Sequence, residues 1–284
     1  MNDAERMATL RLHHSIFSAS SQKVRLALVE KGLDHDSVSV DLQAGEQHTP
    51  AYRALNPRGV VPTLIHGDAV LIESAAILEY LDDAFPEPAL RPHDAVARQR
   101  MRAWVRRLDD VHHPANGMMH YALLGRPALK ALSPERLEAM LQAMPNRRDR
   151  ALRAAAARLG IEAPEFADAV RTQEEMLDAL DADLTNRPFL IGDDLSHADL
   201  VALPYVARLE QMGLLALIVA SDRRHLAGWY DRMKTRSSWR ESIGALPANV
   251  VQHWQSLGQQ AWPRIVPHLQ RPPDVTPAPV FPRP

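Results

Sequence analysis

A chain of 284 residues is long enough for two ordinary domains with real cores, and its 46% apolar and 24% charged residues match a globular protein. A formal net charge of -2 gives no general attraction to nucleic acid or to an anionic membrane. No apolar run approaches a membrane span and MNDAERMATL is not a signal peptide, so a cytoplasmic location is expected, while the absence of cysteine excludes disulfides, thiolate metal sites and a protein thiol nucleophile.

Residues 9–14 (TLRLHH) read as a short strand. Residues 21–31 read as a helix with Val24, Ala27 and Leu28 on one face and Gly32 as its C-terminal stop. SVSVDL, residues 37–42, alternates like a second strand. VVPTLIHGDAVLIES gives two short strands around Gly67-Asp68, a hairpin dipeptide. A helix then runs from about Ser74 to Ala84 with Ile77, Leu78 and Leu81 inward. The order βαβ, β-hairpin, α predicts a small mixed sheet with helices packed on it.

Three prolines within residues 86–92 (PEPALRP) end that pattern, because proline cannot continue a helix. Everything beyond reads as helical. Met101, Trp104, Val105 and Leu108 share one face, as do Phe166, Val170, Leu177, Leu180 and Leu184 farther on, and Leu226, Trp229 and Met233 farther still. Arg147, Arg148, Arg150 and Arg153 are read as a solvated helix face rather than an anion patch. Ser196 stands three residues before Asp199, an N-terminal capping pattern. The expected organisation is an α/β domain at residues 1–86, a linker at 87–93, an all-helical domain at 94–262 and a proline-rich tail at 263–284, disordered or extended from 271.

The segments SIFSASSQKVRLALVEKGL, ALNPRGVVPTL and LIESAAILEYLDDAFP resemble the thioredoxin-like N-terminal domain of soluble glutathione transferases, and FLIGDDLSHADLVALPY resembles their helical domain. The similarity covers about residues 8–245 in four ordered motifs. Within the family the chain is similar to serine-type bacterial members, and FPEPALRPHDAVARQRMRAWVRRLDD resembles the glutathione-dependent β-etherases of lignin breakdown. The resemblance implies an α/β thioredoxin-like domain followed by an all-α bundle, glutathione as cosubstrate, and a homodimer.

It also implies site residues, each with a physical reading beside it. Glu73 and Ser74 stand where a strand turns into a helix, whose free N–H groups suit an anion. The resemblance gives Glu73 the ammonium and Ser74 the carboxylate of the γ-glutamyl end; the plainer reading is that Ser74 is an N-cap. Val61-Pro62 reads as an edge or turn, and the resemblance implies a cis bond that presents the Val61 backbone to the cysteinyl unit. Gln47 and His48 fall in the loop after the second strand, where the family often holds the glycyl carboxylate. A plain surface loop is the other reading. Arg58 reads as a solvated turn residue.

A free thiol with pKa near ~8.5 is only about 3% ionised at pH 7. Lowering that value by about two units takes about 2.7 kcal/mol, and one good hydrogen bond to an anion supplies about 1.5–3 kcal/mol. A single hydroxyl at the start of the first helix therefore suffices. Ser18, Ser20 and Ser21 all lie there. Alignment with the serine-type pattern ranks Ser18 first, Ser20 second and Ser21, read as the N-cap, third; the plainer reading makes all three loop and cap serines. Without cysteine the chain cannot form the mixed disulfide that thiol-reducing members use, which leaves conjugation or displacement by the glutathione thiolate.

The candidates for a small hydrophobic electrophile lie in HHPANGMMHYALLGR: His112, His113, Asn116, Met119 and Tyr121. The alternative makes the methionines core and the histidines a helix end. Trp254 and Trp262 are read either as cover for this site or as surface packing. No metal site is expected, because the histidines have no supporting carboxylate or cysteine pattern. Two other functions stay open: a non-catalytic binding module on the same fold, and a glutathione-dependent isomerase or peroxidase.

Overall fold

The structure, a computed structural model, describes residues 9–271. Strand β1 is Leu10–His14, with Leu10 and Leu12 buried by the period of two. Helix α1, Ala19–Glu30, buries Val24, Ala27 and Leu28 as the periodicity requires, and Gly32 at φ 63 turns the chain out of it. Strand β2 is His35–Ser39, earlier than the alternation of SVSVDL suggests. Its register explains the shift: it runs parallel to β1 with His35 opposite Leu10 and Ser39 opposite His14, where β1 ends. Val40 still donates its N–H to the His14 carbonyl at 2.8 Å, then packs with Leu42, Tyr52 and Val61 in a small cluster of its own.

A 3-10 turn, Glu46–His48, leads to α2, Pro50–Leu55, whose start is capped by Thr49 accepting the Tyr52 N–H. Strands β3, Thr63–His66, and β4, Ala69–Leu71, form the predicted hairpin, and α3 spans Ser74–Ala84 with Ile77, Leu78 and Leu81 buried. The sheet order is β2-β1-β3-β4, with β3 antiparallel to both neighbours. This is the expected thioredoxin-like arrangement.

The remainder is helical. Helices α4 (Ala95–Arg107), α5 (His113–His120) and α6 (Arg126–Lys130) follow one another through two π turns, Leu108–His112 and Tyr121–Gly125. Each π turn directly precedes a helix that carries proline in its first turn, Pro114 and Pro127. Proline lacks the N–H for the usual bond, and the wider turn absorbs the gap without breaking the helix. Then come α7 (Pro134–Gln142), α8 (Arg147–Arg158), α9 (Pro164–Asp183), α10 (His197–Gln211), α11 (Arg224–Lys234), α12 (Ser237–Ser242) and α13 (Ala248–Ile265). Phe166, Val170, Leu177 and Leu180 along α9, and Leu184 at its C-cap, are buried as their spacing predicts. At the start of α10, Asp199 Oδ2 accepts from the Ser196 N–H at 3.0 Å and from its hydroxyl at 2.9 Å, the predicted cap. No helix among the described residues is long and apolar enough to cross a membrane.

The chain divides into two compact units. One holds the residues up to Val105 with Ile191–Pro204 and Arg232–Leu246; the other holds Arg106–Leu190, Tyr205–Asp231 and the residues from Pro247 on. In the first unit, a buried charge cluster joins α1, α3 and the proline segment. Lys31 Nζ lies 2.6 Å from Asp82 Oδ1 and 2.7 Å from the Pro88 carbonyl, the Leu90 N–H donates to Asp82, and His197 Nε2 lies 3.1 Å from Asp82 Oδ2. Burial pushes the Asp82 carboxyl up, but the hydrogen bonds from His197 and Lys31 outweigh it and hold the group below its ordinary value.

In the second unit, Arg147 and Arg148 of α8 are exposed as expected, while Arg150 and Arg153 are half-buried. Arg148 and Arg150 donate to the Asp110 and Met144 carbonyls, and the Arg153 guanidinium lies 3.1 Å above the centre of the Tyr121 ring. Of the expected tail, residues 272–284 lie outside the described residues.

Candidate active site

The loop between β1 and α1 is held from below. Ser21 is buried, and its Oγ accepts the Ser15 N–H at 3.3 Å. Gln22, also buried, donates to the Ile16 carbonyl at 2.9 Å, and the Ser18 N–H donates to the Ser15 carbonyl at 3.1 Å. Ser18, with φ -85 and ψ 120, is the residue that caps α1, because its Oγ accepts the Ser21 N–H at 3.2 Å. The expectation that Ser21 is the N-cap is therefore corrected. The helix starts two residues earlier than predicted, so Ser21 falls inside it and turns to the interior. Since the Ser18 oxygen is engaged as an acceptor, its own O–H is directed elsewhere and is available to donate. Ser20 is half-buried in the first turn and makes no side-chain hydrogen bond among the described residues.

Residues 56–62 gather the second set of candidates. Asn56 is buried, and its Nδ2 donates to the Val60 carbonyl at 2.8 Å and to Thr63 Oγ1 at 3.3 Å. The Tyr52 hydroxyl donates to the Val60 carbonyl at 2.9 Å and lies 3.0 Å from Thr63 Oγ1. On this support the Val61-Pro62 peptide is cis, and neither the N–H nor the C=O of Val61 is hydrogen-bonded among the described residues. Gly59, at φ 60, lies so close to the 46–48 turn that a Cβ there would meet the Gln47 carbonyl at 3.0 Å and His48 Nδ1 at 2.9 Å. Gln47 Nε2 lies 3.3 Å from His48 Nε2, and Gln47 Oε1 is buried. Gln47 and His48 thus adjoin Gly59, two residues before the cis peptide.

At the strand-to-helix corner, Glu73 has φ 68 and ψ 105, a backbone region that residues with side chains rarely adopt. No side-chain hydrogen bond caps α3 among the described residues, so the first N–H groups of that helix stand uncapped beside the buried Ser74. Arg58 is the exposed turn residue expected from the sequence, and it also forms an ion pair with Glu73. Its partner lies outside its own segment, beyond the reach of any local pattern. Gln47, His48, Val61, Pro62 and Glu73 are therefore joined through residues 56–62.

The candidates in the second unit separate by burial. His112 and Met119 are interior, and Asn116 is buried with its Nδ2 on the Tyr205 carbonyl at 3.3 Å. His113 is exposed, and Tyr121 is half-buried beneath Arg153. Trp254 meets the His120 ring edge at 5.3 Å, under the Arg208 guanidinium at 5.1 Å. A feature hidden from the sequence is the buried Tyr205 hydroxyl, which donates to Asp109 Oδ1 at 3.1 Å and lies 3.2 Å from His113 Nδ1. Burial, then the Asp109 charge, raises the Tyr205 hydroxyl well above its ordinary pKa, so it stays protonated. No cluster of three or more His, Cys, Asp or Glu suited to a metal occurs among the described residues.

Two buried histidines give the protein an acid sensitivity. His14, in the first unit, is lowered to about 4 by burial and then by the charges of Arg25, His35 and His13. His112, in the second, is lowered to about 4 by burial and then by Arg107. Both are neutral when folded and take up a proton at 6.5 when unfolded. Their contribution is complete above pH 6.5 and is lost progressively down to pH 4, by about 2 kcal/mol each at pH 5. Urea unfolding at pH 7 and pH 5 should show that loss, and His14→Gln or His112→Gln should reduce its slope.

The comparisons with known proteins agree with this architecture. The glutathione S-transferase N-terminal domain family matches residues 12–89, and the C-terminal domain family matches residues 132–237. Glutathione S-transferase F10 of Arabidopsis thaliana is 30% identical over 231 residues, 78% of this chain and 91% of that protein. Tetrachloro-p-hydroquinone reductive dehalogenase of Sphingobium chlorophenolicum is 31% identical over 256 residues, 88% of this chain and 99% of that protein. The crystal structure of β-etherase LigF from Sphingobium sp. strain SYK-6 superimposes with a TM-score of 0.76 at 28% identity, covering 83% of this chain and 98% of that one. With both domain families matched in order and relatives aligned over most of its length, the chain belongs to the glutathione S-transferase family.

Proposed function

We propose that this chain binds glutathione in its thioredoxin-like half and holds the cosubstrate as a thiolate through Ser18, for attack on a small hydrophobic electrophile. The observation that carries this reading is the Ser18 hydroxyl: its oxygen is engaged by the Ser21 N–H, so its hydrogen is free to donate. Ser20 is the reserve for that role. Glu73 takes the γ-glutamyl ammonium, while Ser74 and the open N–H groups of α3 take its carboxylate. The Val61 backbone pairs with the cysteinyl unit, and Gln47 and His48 face the glycyl carboxylate. In the second unit, exposed His113 and half-buried Tyr121 are the proposed contacts to the electrophile, with His112, Asn116 and Met119 packed behind them in the interior.

Without cysteine in the chain, the reaction is conjugation or displacement by the glutathione sulfur. In an aryl ether cleavage the sulfur forms a bond to carbon, the carbon–oxygen bond breaks, and the aryloxide leaves with the electron pair and gains a proton. The names of two relatives, a β-etherase and a reductive dehalogenase of a chlorinated hydroquinone, favour an aromatic electrophile with a leaving group. A cytoplasmic homodimer is the proposed form.

Calorimetric titration with glutathione, and with S-methylglutathione beside it, tests the first half of this reading. Saturable binding of both is expected. No heat at millimolar glutathione would remove the basis for the site. With binding in hand, release of a phenol from β-aryl ethers tests the second half.

A further inference from the structure

Glu73 already holds a cation in the free protein, the Arg58 guanidinium, in a pair with both side chains about half exposed. The Arg58 side chain is exposed, but its backbone is held in place. Its N–H donates to Asn56 Oδ1 at 3.1 Å, and Asn56 is buried and tied to the Val60 carbonyl and to Thr63. The next residue, Gly59, is pressed against Gln47 and His48. Glu73 is equally fixed, by its unusual backbone at the head of α3. Two fixed backbone positions thus bring a guanidinium to the carboxylate assigned to the ligand's ammonium. One exposed carboxylate cannot give both cations its best geometry at the same time.

We propose that Arg58 is an internal competitor for the ammonium group of glutathione, holding Glu73 in the free protein and displaced from it when the γ-glutamyl end binds. This rests on the assignment of Glu73 to the ammonium. Arg58 is a positioning residue in this scheme: it acts on binding through Glu73 and has no part in the chemistry of the sulfur. Its consequence is selectivity. A thiol peptide without the α-ammonium meets a carboxylate that is already neutralised and gains nothing from it, and any other cation has the same guanidinium to displace.

The test is titration of the full chain and of Arg58→Gln, Arg58→Lys and Glu73→Gln with two ligands. One is glutathione; the other is glutaryl-cysteinylglycine, which lacks only the amine. Arg58→Gln should bind glutathione about two- to five-fold more tightly, the size of an exposed ion pair. The gain should appear in KM and not in kcat. Arg58→Lys should return the affinity toward the original value, and the amine-free ligand should bind both proteins alike. Unchanged or weaker glutathione binding in Arg58→Gln would overturn the competitor role. If Glu73→Gln binds glutathione as well as the original chain, the ammonium assignment falls and the proposal with it. If Glu73→Gln loses affinity while Arg58→Gln gains none, only the proposal falls.

Discussion

Asp82→Ala is expected to destabilise the protein by about 3–5 kcal/mol, the usual cost of removing one partner from a buried ion pair. The geometry leaves little room for a smaller effect. The Lys31 and Asp82 side chains are 0% and 1% exposed, so the stranded ammonium would have neither water nor a carboxylate. It would keep only the Pro88 carbonyl, and the Leu90 N–H would lose its acceptor as well. Urea denaturation should show the loss as a lower midpoint with little change in slope. The double variant Lys31→Met, Asp82→Leu should recover much of it, because no buried charge then remains. A loss below about 1 kcal/mol in Asp82→Ala would mean that water reaches the ammonium.

Ser18→Ala is expected to lower kcat/KM by about 10- to 100-fold and to raise the pKa of bound glutathione by about one to two units. Two effects are superposed in that variant, since Ser18 is both the proposed thiolate donor and the N-cap of α1. Losing the cap to alanine costs about 1 kcal/mol, whereas glycine at the same place costs only a few tenths. Ser18→Gly therefore separates them: nearly full stability with the same loss of activity. A titration of thiolate absorbance reads the pKa directly. If it is unchanged in both variants, the donor is Ser20 or the backbone.

The two largest predictions differ in how far the sequence led to them. Ser18 is a candidate from its position at the start of a predicted helix and from the family pattern, and that it caps α1 in place of Ser21 came from the structure. The N-cap is decided by backbone angles, which three nearby serines in SASS do not distinguish. Asp82 was invisible. Its partners stand at residues 31, 88, 90 and 197, and no local pattern connects them.

What the sequence determined by itself were properties carried by short-range periodicity. The burial of Leu10 and Leu12, the faces of α1, α3 and α9, the hairpin at Gly67-Asp68 and the cap of α10 all follow from spacings of a few residues. Family motifs did the same for the cis peptide at Val61-Pro62 and the strand-to-helix corner at Glu73-Ser74. The tertiary structure decided whatever depends on a partner distant in the chain. It set the start of β2, because a strand pairs only as far as its neighbour extends. It put Arg58 on Glu73 and Asp109 under Tyr205, and it sorted buried His112 from exposed His113, neighbours that no local pattern tells apart. Periodicity reports which face of an element is apolar. Which charge stands opposite a given side chain is settled only when the elements pack.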